Sequence, residues 1–186
     1  MSTLILAAVC CGVYPLVVFG IGQGLFRGKA NGSLIVDKAG IVRGSKLLGQ
    51  GFTAEKYFHP RPSAAGTGYD AANSSGTNFG PTSQKLADGI KTAVAAYRAD
   101  NGLAADAAVP ADAVTSSGSG LDPHISAVNA DLQASRVAQS RGLPLATVRG
   151  LIAGHTEGRD LGVLGEPRVN VLLLNLELDR LSSPRR

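Results

Sequence analysis

No charged side chain occurs before Arg27, and residues 4–26, LILAAVCCGVYPLVVFGIGQGLF, are apolar almost throughout. A backbone placed in hydrocarbon must satisfy its own hydrogen bonds, which for one segment means a helix. These 23 residues reach about 34 Å at a rise of about 1.5 Å each, enough for a hydrocarbon core of about 30 Å. A cleaved signal peptide has a shorter apolar region, a basic start and a small-residue cleavage site. Here the region is long, the start is Met-Ser-Thr, and Arg27 and Lys29 crowd any cut after Ala30. A lipoprotein anchor needs a small residue directly before the Cys, which the run AAVCC does not offer. The expectation is a retained single-pass transmembrane helix over 4–26, with Cys10 and Cys11 as small apolar side chains against membrane lipid. Arg27, Lys29, Lys38, Arg43 and Lys46 follow this segment and no basic residue precedes it. The positive-inside rule alone would therefore put the rest of the chain in the cytoplasm.

The remainder reads as one soluble domain over 30–182. With 44% hydrophobic and 17% charged residues the chain is not of disordered composition. Two adjacent cysteines exclude a disulfide scaffold. The 18 Lys and Arg are interleaved with 14 Asp and Glu, so no nucleic-acid patch stands out. LIV (34–36) and GIV (40–42) around an Asp-Lys-Ala-Gly turn predict a hairpin, with further strand at KLLG (46–49). Residues 57–80, rich in Gly, Ser, Asn and Pro, predict a long functional loop. Leu86, Ile90, Ala93, Val94 and Tyr97 recur at helical spacing after Pro81 and stop at Asn101-Gly102. A second helix is expected from Asp122 as N-cap to Gly142, burying Ile125, Val128 and Leu132. A third is expected over Pro144–Ala153 with Leu145, Val148 and Ile152 inward. VNVLLLNLELD (169–179) reads as a buried strand. The fold class expected is a single N-terminal transmembrane helix plus an α/β (α+β) domain. It would have a small mixed sheet containing 33–52 and 169–179 and about three helices.

Several constellations invite chemistry. SSGSGLDPHIS (116–126) offers Ser119 as a nucleophile and His124 as its base, the arrangement of an anchored extracytoplasmic serine hydrolase. The nucleophile elbow wants Gly two residues either side of the serine, whereas Gly118 and Gly120 adjoin Ser119. The competing reading is a glycine-rich turn leading into an Asp122-Pro123 cap. His59, His124 and His155 lie apart without paired metal-ligand spacing, and no phosphate-binding G-x-x-x-x-G-K-[ST] loop exists. The sequence thus offers no metal site and no cofactor motif of its own. Asn129, Gln133, Arg136 and Ser140 follow one another at three- and four-residue steps. That stripe is either a solvated face or a contact surface for a partner subunit or anionic ligand. Arg61, between two prolines, sits in a stiff turn that can present one guanidinium.

Taken in order, ANGSLI (30–35), GSKLLGQ (44–50), YFHPRPSA (57–64), SGTNFGPT (75–82), VPADAVTSSGSGLDPHIS (109–126), RVAQSRG (136–142) and GEPRVNVLLLNLELD (165–179) carry a resemblance. GVYPLVV in the apolar segment also fits. The sequence resembles the C subunit of the Kdp-type, high-affinity potassium-transporting ATPase of bacteria. The resemblance implies a non-catalytic accessory subunit, bound to a channel-like potassium-binding subunit, a P-type ATPase subunit and a very small hydrophobic subunit. It implies a single-pass protein of the inner membrane whose domain lies outside the cytoplasm, against the charge rule above. It also implies a catalytic-chaperone role in ATP binding by the ATPase subunit, with ATP shared rather than held alone. The glutamine proposed to help there matches Gln133. Gln133, Asn129, Arg136, Arg61, Ser119 and Asp122 are the candidate partner-contact or nucleotide-related residues.

Overall fold

In the computed structural model, which describes residues 1–182, the chain forms two units: Met1–Leu47, and the part from Leu48 onward. In the first, Ser2–Leu25 is one continuous apolar helix, long and apolar enough to cross a membrane. It comprises α1 (Ser2–Ala8), a π turn (Val9–Val13) and α2 (Tyr14–Leu25). The π turn has a local cause. Pro15 has no N–H to donate one turn back, so the preceding turn widens and Tyr14 N–H donates to Val9 O, five residues earlier. A short α3 (Arg27–Ala30) follows, and Gln23 and Asn31 join their side-chain amides.

The expected hairpin forms, as β1 (Leu34–Val36) and β2 (Val42–Ser45), antiparallel, with its second strand running from Val42 to Ser45 instead of over 40–42. Asp37 makes its turn: Oδ1 accepts from Ala39 N at 2.8 Å and Ile41 N at 2.9 Å, while the carboxylate pairs with Arg43 at 2.7 Å. The expected strand at KLLG is instead turn and irregular chain. This hairpin forms a two-stranded sheet by itself, not one sheet with the C-terminal segment.

The second unit holds α4 (Gln84–Asp100), α5 (Ala111–Val114), β3 (His124–Ser126), α6 (Ala127–Arg141), α7 (Leu145–Gly154), β4 (Thr156–Glu157), β5 (Arg168–Asn170) and α8 (Val171–Ser182). Its sheet has the order β3–β5–β4, with both pairings antiparallel rather than mixed. The architecture of one apolar helix followed by small sheets and several helices is the expected class.

Two elements differ from the sequence reading. Residues 171–182 are helix, not strand; only 168–170 pair in the sheet. Val171, Leu172, Leu174, Asn175 and Leu178 are its buried positions, four of them forming the i, i+3, i+4, i+7 set of a helix, and Asn170 Oδ1 caps it by accepting from Leu173 N at 3.1 Å. The second expected helix starts at Ala127 instead of Asp122, because His124–Ser126 pairs with β5 and Ser126 supplies the N-cap, its Oγ accepting from Asn129 N at 3.1 Å. It ends at Gly142, which adopts φ +63°, as the sequence predicted.

The core also uses a different stripe of α6. Val128 is exposed, whereas Ala130, Ala134, Val137 and Ala138 are buried against Val148 and Ile152 of α7 and Leu174 and Leu178 of α8. Small alanines let helices approach closely, so the least conspicuous apolar residues face inward. The third helix and its inward Val148 and Ile152 are as expected.

Candidate functional site

Residues 55–59, Glu-Lys-Tyr-Phe-His, are neither helix nor strand. Their backbone is nonetheless held along its whole length by side chains. Five successive carbonyls each accept from a side chain of α6 or α8: Glu55 and Tyr57 from Arg136 Nη1, Lys56 from Arg141 Nε, Phe58 from Asn175 Nδ2, and His59 from Gln133 Nε2. Two N–H groups are taken as well: Phe58 N donates to Asn175 Oδ1 at 2.9 Å and His59 N to Gln133 Oε1 at 2.7 Å. Each carboxamide therefore offers a donor and an acceptor side by side, as a neighbouring strand would, and binds both polar groups of one residue. We call the segment the strap. Phe58, wholly buried, fixes it in the core.

Gln133 has no hydrogen-bonding capacity left. Oε1 accepts from His59 N and from Arg136 Nη2 at 2.9 Å, while Nε2 donates to His59 O at 3.1 Å and Asn129 Oδ1 at 2.8 Å. Both lone pairs and both protons are engaged. Asn129 continues inward, accepting from the Tyr97 hydroxyl at 2.8 Å and donating to Asp112 Oδ2 at 2.9 Å. Asp112 also accepts from Ser126 N and Oγ, so a carboxylate from α5 stands at the start of α6, where the helix end favours negative charge. Burial, then Asp112, pushes the Tyr97 phenol above its ordinary pKa. Burial also lowers the Arg136 guanidinium, and burial followed by the Arg136 charge lowers the His59 imidazole.

At the middle of the strap, Tyr57 donates its hydroxyl to Asp179 at 3.0 Å, Arg141 pairs with Asp179 at 2.8 Å, and the Arg141 guanidinium lies 5.0 Å from the Tyr57 ring centre. Two residues beyond the strap, Arg61 turns inward. Its Nη1 meets Asp122 Oδ2 at 2.9 Å, and its other nitrogens reach the carbonyls of Thr115 and Ser116. Asp122 is thus not the cap of α6. Its Oδ1 accepts from His124 N at 3.0 Å and lies 3.4 Å from His124 Nδ1. Burial pushes the Asp122 carboxyl up, but the hydrogen bonds from His124 and Arg61 outweigh it and the pKa is lowered.

The loop 57–80 packs on this turn. Ser63 donates to Gly120 O at 2.6 Å, Tyr69 donates its hydroxyl to Arg61 O, and Ser75 N donates to Ser119 O at 3.0 Å. Gly120, at φ +67°, has to be glycine, since a Cβ there would stand 2.6 Å from Ser75 O and 2.7 Å from Ala65 N.

The six candidates therefore fall into two groups. Gln133, Asn129 and Arg136 form one network; in the stripe they make, Asn129 and Gln133 are buried, Arg136 is half-buried and Ser140 is exposed. Arg61 and Asp122 form the second group, with Ser119 on the outer side of its turn. Ser119 Oγ lies 3.3 Å from Ser117 Oγ and accepts from Leu121 N, and no hydrogen bond joins it to His124. The hydrolase pairing is not assembled. Asn175, Arg141, Asp112 and Tyr97 are missed by the sequence reading; the one advance signal was a lone Asn inside an apolar run. Among the described residues no group of three or more His, Cys, Asp or Glu is placed to hold a metal ion.

Residues 1–180 match the family model described as K+-transporting ATPase, c chain, KdpC. The chain belongs to the KdpC family. It is 58% identical over 182 residues to the potassium-transporting ATPase KdpC subunit of Mycobacterium bovis, covering 97% of this chain and 96% of that one. The corresponding subunit of Myxococcus xanthus is 54% identical over 185 residues (99% and 87%), and that of Koribacter versatilis 51% over 180 (96% and 91%). Membership of a K+-transporting ATPase family, with one helix long and apolar enough to be its anchor, makes this chain a subunit of a potassium-transporting complex.

Proposed function

We propose that this chain is a non-catalytic accessory subunit of an ATP-driven, high-affinity potassium uptake complex in the bacterial inner membrane. It is held by its single helix, with the domain on the extracytoplasmic side. Its partners are a channel-like potassium-binding subunit, a P-type ATPase subunit and a small hydrophobic subunit. Its part is to assemble and stabilise the complex, and its effect on ATP use is indirect, through those contacts. The family match carries this reading, since it runs through the apolar helix and the domain alike. The charge asymmetry after the helix argues for the opposite orientation; the family expectation outweighs it here. The occupied state of Gln133 favours the indirect route, because nothing on its carboxamide is left to offer a nucleotide.

The test is extraction of affinity-tagged full-length chain in mild detergent from cells expressing all the subunits. The expected result is co-purification with the other three, and loss of potassium uptake at low external potassium when the chain is deleted. A chain that runs alone and leaves uptake intact when deleted would end the reading.

A further inference from the structure

Helix α6 carries a glutamine whose four hydrogen-bonding positions are all engaged within the domain, and α8 carries an asparagine doing the same work on the neighbouring residue. We propose that Gln133 and Asn175, with Arg136, form a two-helix clamp whose role is to position the strap 55–59, and that Gln133 is a positioning residue rather than a nucleotide ligand.

Three observations lead there. First, the two amides act alike. Gln133 takes the N–H and C=O of His59, and Asn175 takes the N–H and C=O of Phe58. Second, both are 1% exposed and lie beneath the strap, so no ligand reaches Gln133 until the strap is lifted. Lifting it means breaking bonds to five consecutive carbonyls and withdrawing the fully buried Phe58. What stays behind on α6 and α8 are buried carboxamides without their partners, a loss that a contact with one carboxamide does not return. Third, the strap leads straight to Arg61, whose guanidinium fixes the carbonyls of Thr115 and Ser116 and pairs with Asp122. The clamp therefore sets the position of His59, the following Pro60 and Arg61, and through Arg61 the turn 115–122. A change at Gln133 is expected to travel along that covalent path and alter the loop surface formed by 61–76 and 115–122.

The inference rests on the accessory-subunit reading only where the complex is assayed, and amide exchange tests it directly. In the intact complex, the Phe58 and His59 amides are expected to be protected, with the same protection at saturating ATP as without it. Gln133→Ala and Asn175→Ala are expected to raise exchange across 57–59 on the order of 10- to 100-fold, each to a similar extent. In complexes that retain either variant, KM for ATP should stay within about twofold while the yield of complex falls. ATP-dependent deprotection of His59 would overturn the proposal, as would a Gln133→Ala variant that raises KM for ATP with 57–59 still protected. Fast exchange at Phe58 and His59 in the unaltered protein would overturn it without any variant. If the variants do not assemble, the wild-type measurement decides alone. If the chain has no partners at all, exchange in the purified full-length chain still tests the clamp while the accessory-subunit reading fails.

Discussion

In the unit Met1–Leu47 the helix turns Leu4, Leu16 and Phe19 outward with 72%, 71% and 65% of their surface exposed, while in the unit from Leu48 onward Gln133, Asn129 and Asn175 are each 1% exposed. The first unit places apolar side chains where a soluble protein would have polar ones. The second buries carboxamides where a core would ordinarily have leucine. Each inversion makes sense in its own surroundings. Lipid rewards the outward Leu and Phe of a helix whose backbone is internally satisfied. The buried amides are tolerated because every one of their polar atoms is paired; among the described residues no buried side-chain nitrogen or oxygen lacks a partner. The lesson is that polarity alone misreads both units, and that the accounting of hydrogen bonds reads them correctly.

The comparison can be broken from the polar side first. Gln133→Leu keeps the volume and removes four hydrogen bonds, leaving the His59 N–H and C=O without partners. We expect a loss of roughly 4 kcal/mol or more, read as a fall in the unfolding midpoint of the detergent-solubilised protein. A loss below about 1 kcal/mol would mean that the strap readily finds other partners.

Next comes the apolar side. Leu16→Arg puts a charge well inside the apolar helix, where insertion costs about 3 kcal/mol. The chain should shift measurably from the alkali-resistant membrane pellet to the soluble fraction, while the fold of the second unit is kept. Smaller again is the packing contrast on α6. Ala134→Leu overfills a wholly buried contact and should cost about 1–3 kcal/mol, whereas Val128→Ala, at an exposed site, should stay within about 0.5 kcal/mol. Equal effects would mean that the helix presents the face expected from its sequence.

The smallest effect is on pH dependence. His59 is held below its ordinary pKa by burial and then by Arg136, so the unfolded chain takes up its proton first as pH falls. Its contribution is present in full above the unfolded value near 6.5 and is lost as pH drops through the lowered folded value. His59→Gln should flatten stability between neutral pH and that value. It should leave untouched the separate loss at more acid pH, where Asp122 is protonated.

What the sequence made legible follows the same division. The apolar segment, the hairpin around Asp37, the stop of α6 at Gly142 and the inward face of α7 all rest on short-range signals. The helix at 171–182 is not distinguishable from a strand by pattern, because Leu172–Leu174 is a continuous apolar run that fits both periods. Asn175, which breaks the run, is itself buried and lies on the helix's inward face. Asn129, Gln133 and Arg136 are legible as neighbours on one side of a helix from their three- and four-residue spacing. Its destination was not visible, since the strap that covers it lies 74 residues earlier for the Gln133–His59 pair, and no local rule connects them. The same holds for Arg61, whose guanidinium is folded back on Asp122, 61 residues later in the chain.

The account stands most directly on which side of the membrane the domain occupies, because that decides whether ATP can meet it at all. Ala71, exposed on the loop 57–80, can be changed to Cys in a chain whose Cys10 and Cys11 are replaced by Ala. Intact cells are then treated with a membrane-impermeant thiol reagent. The account predicts ready labelling without permeabilisation. Labelling that appears only after the inner membrane is opened would contradict it and place the domain with the nucleotide.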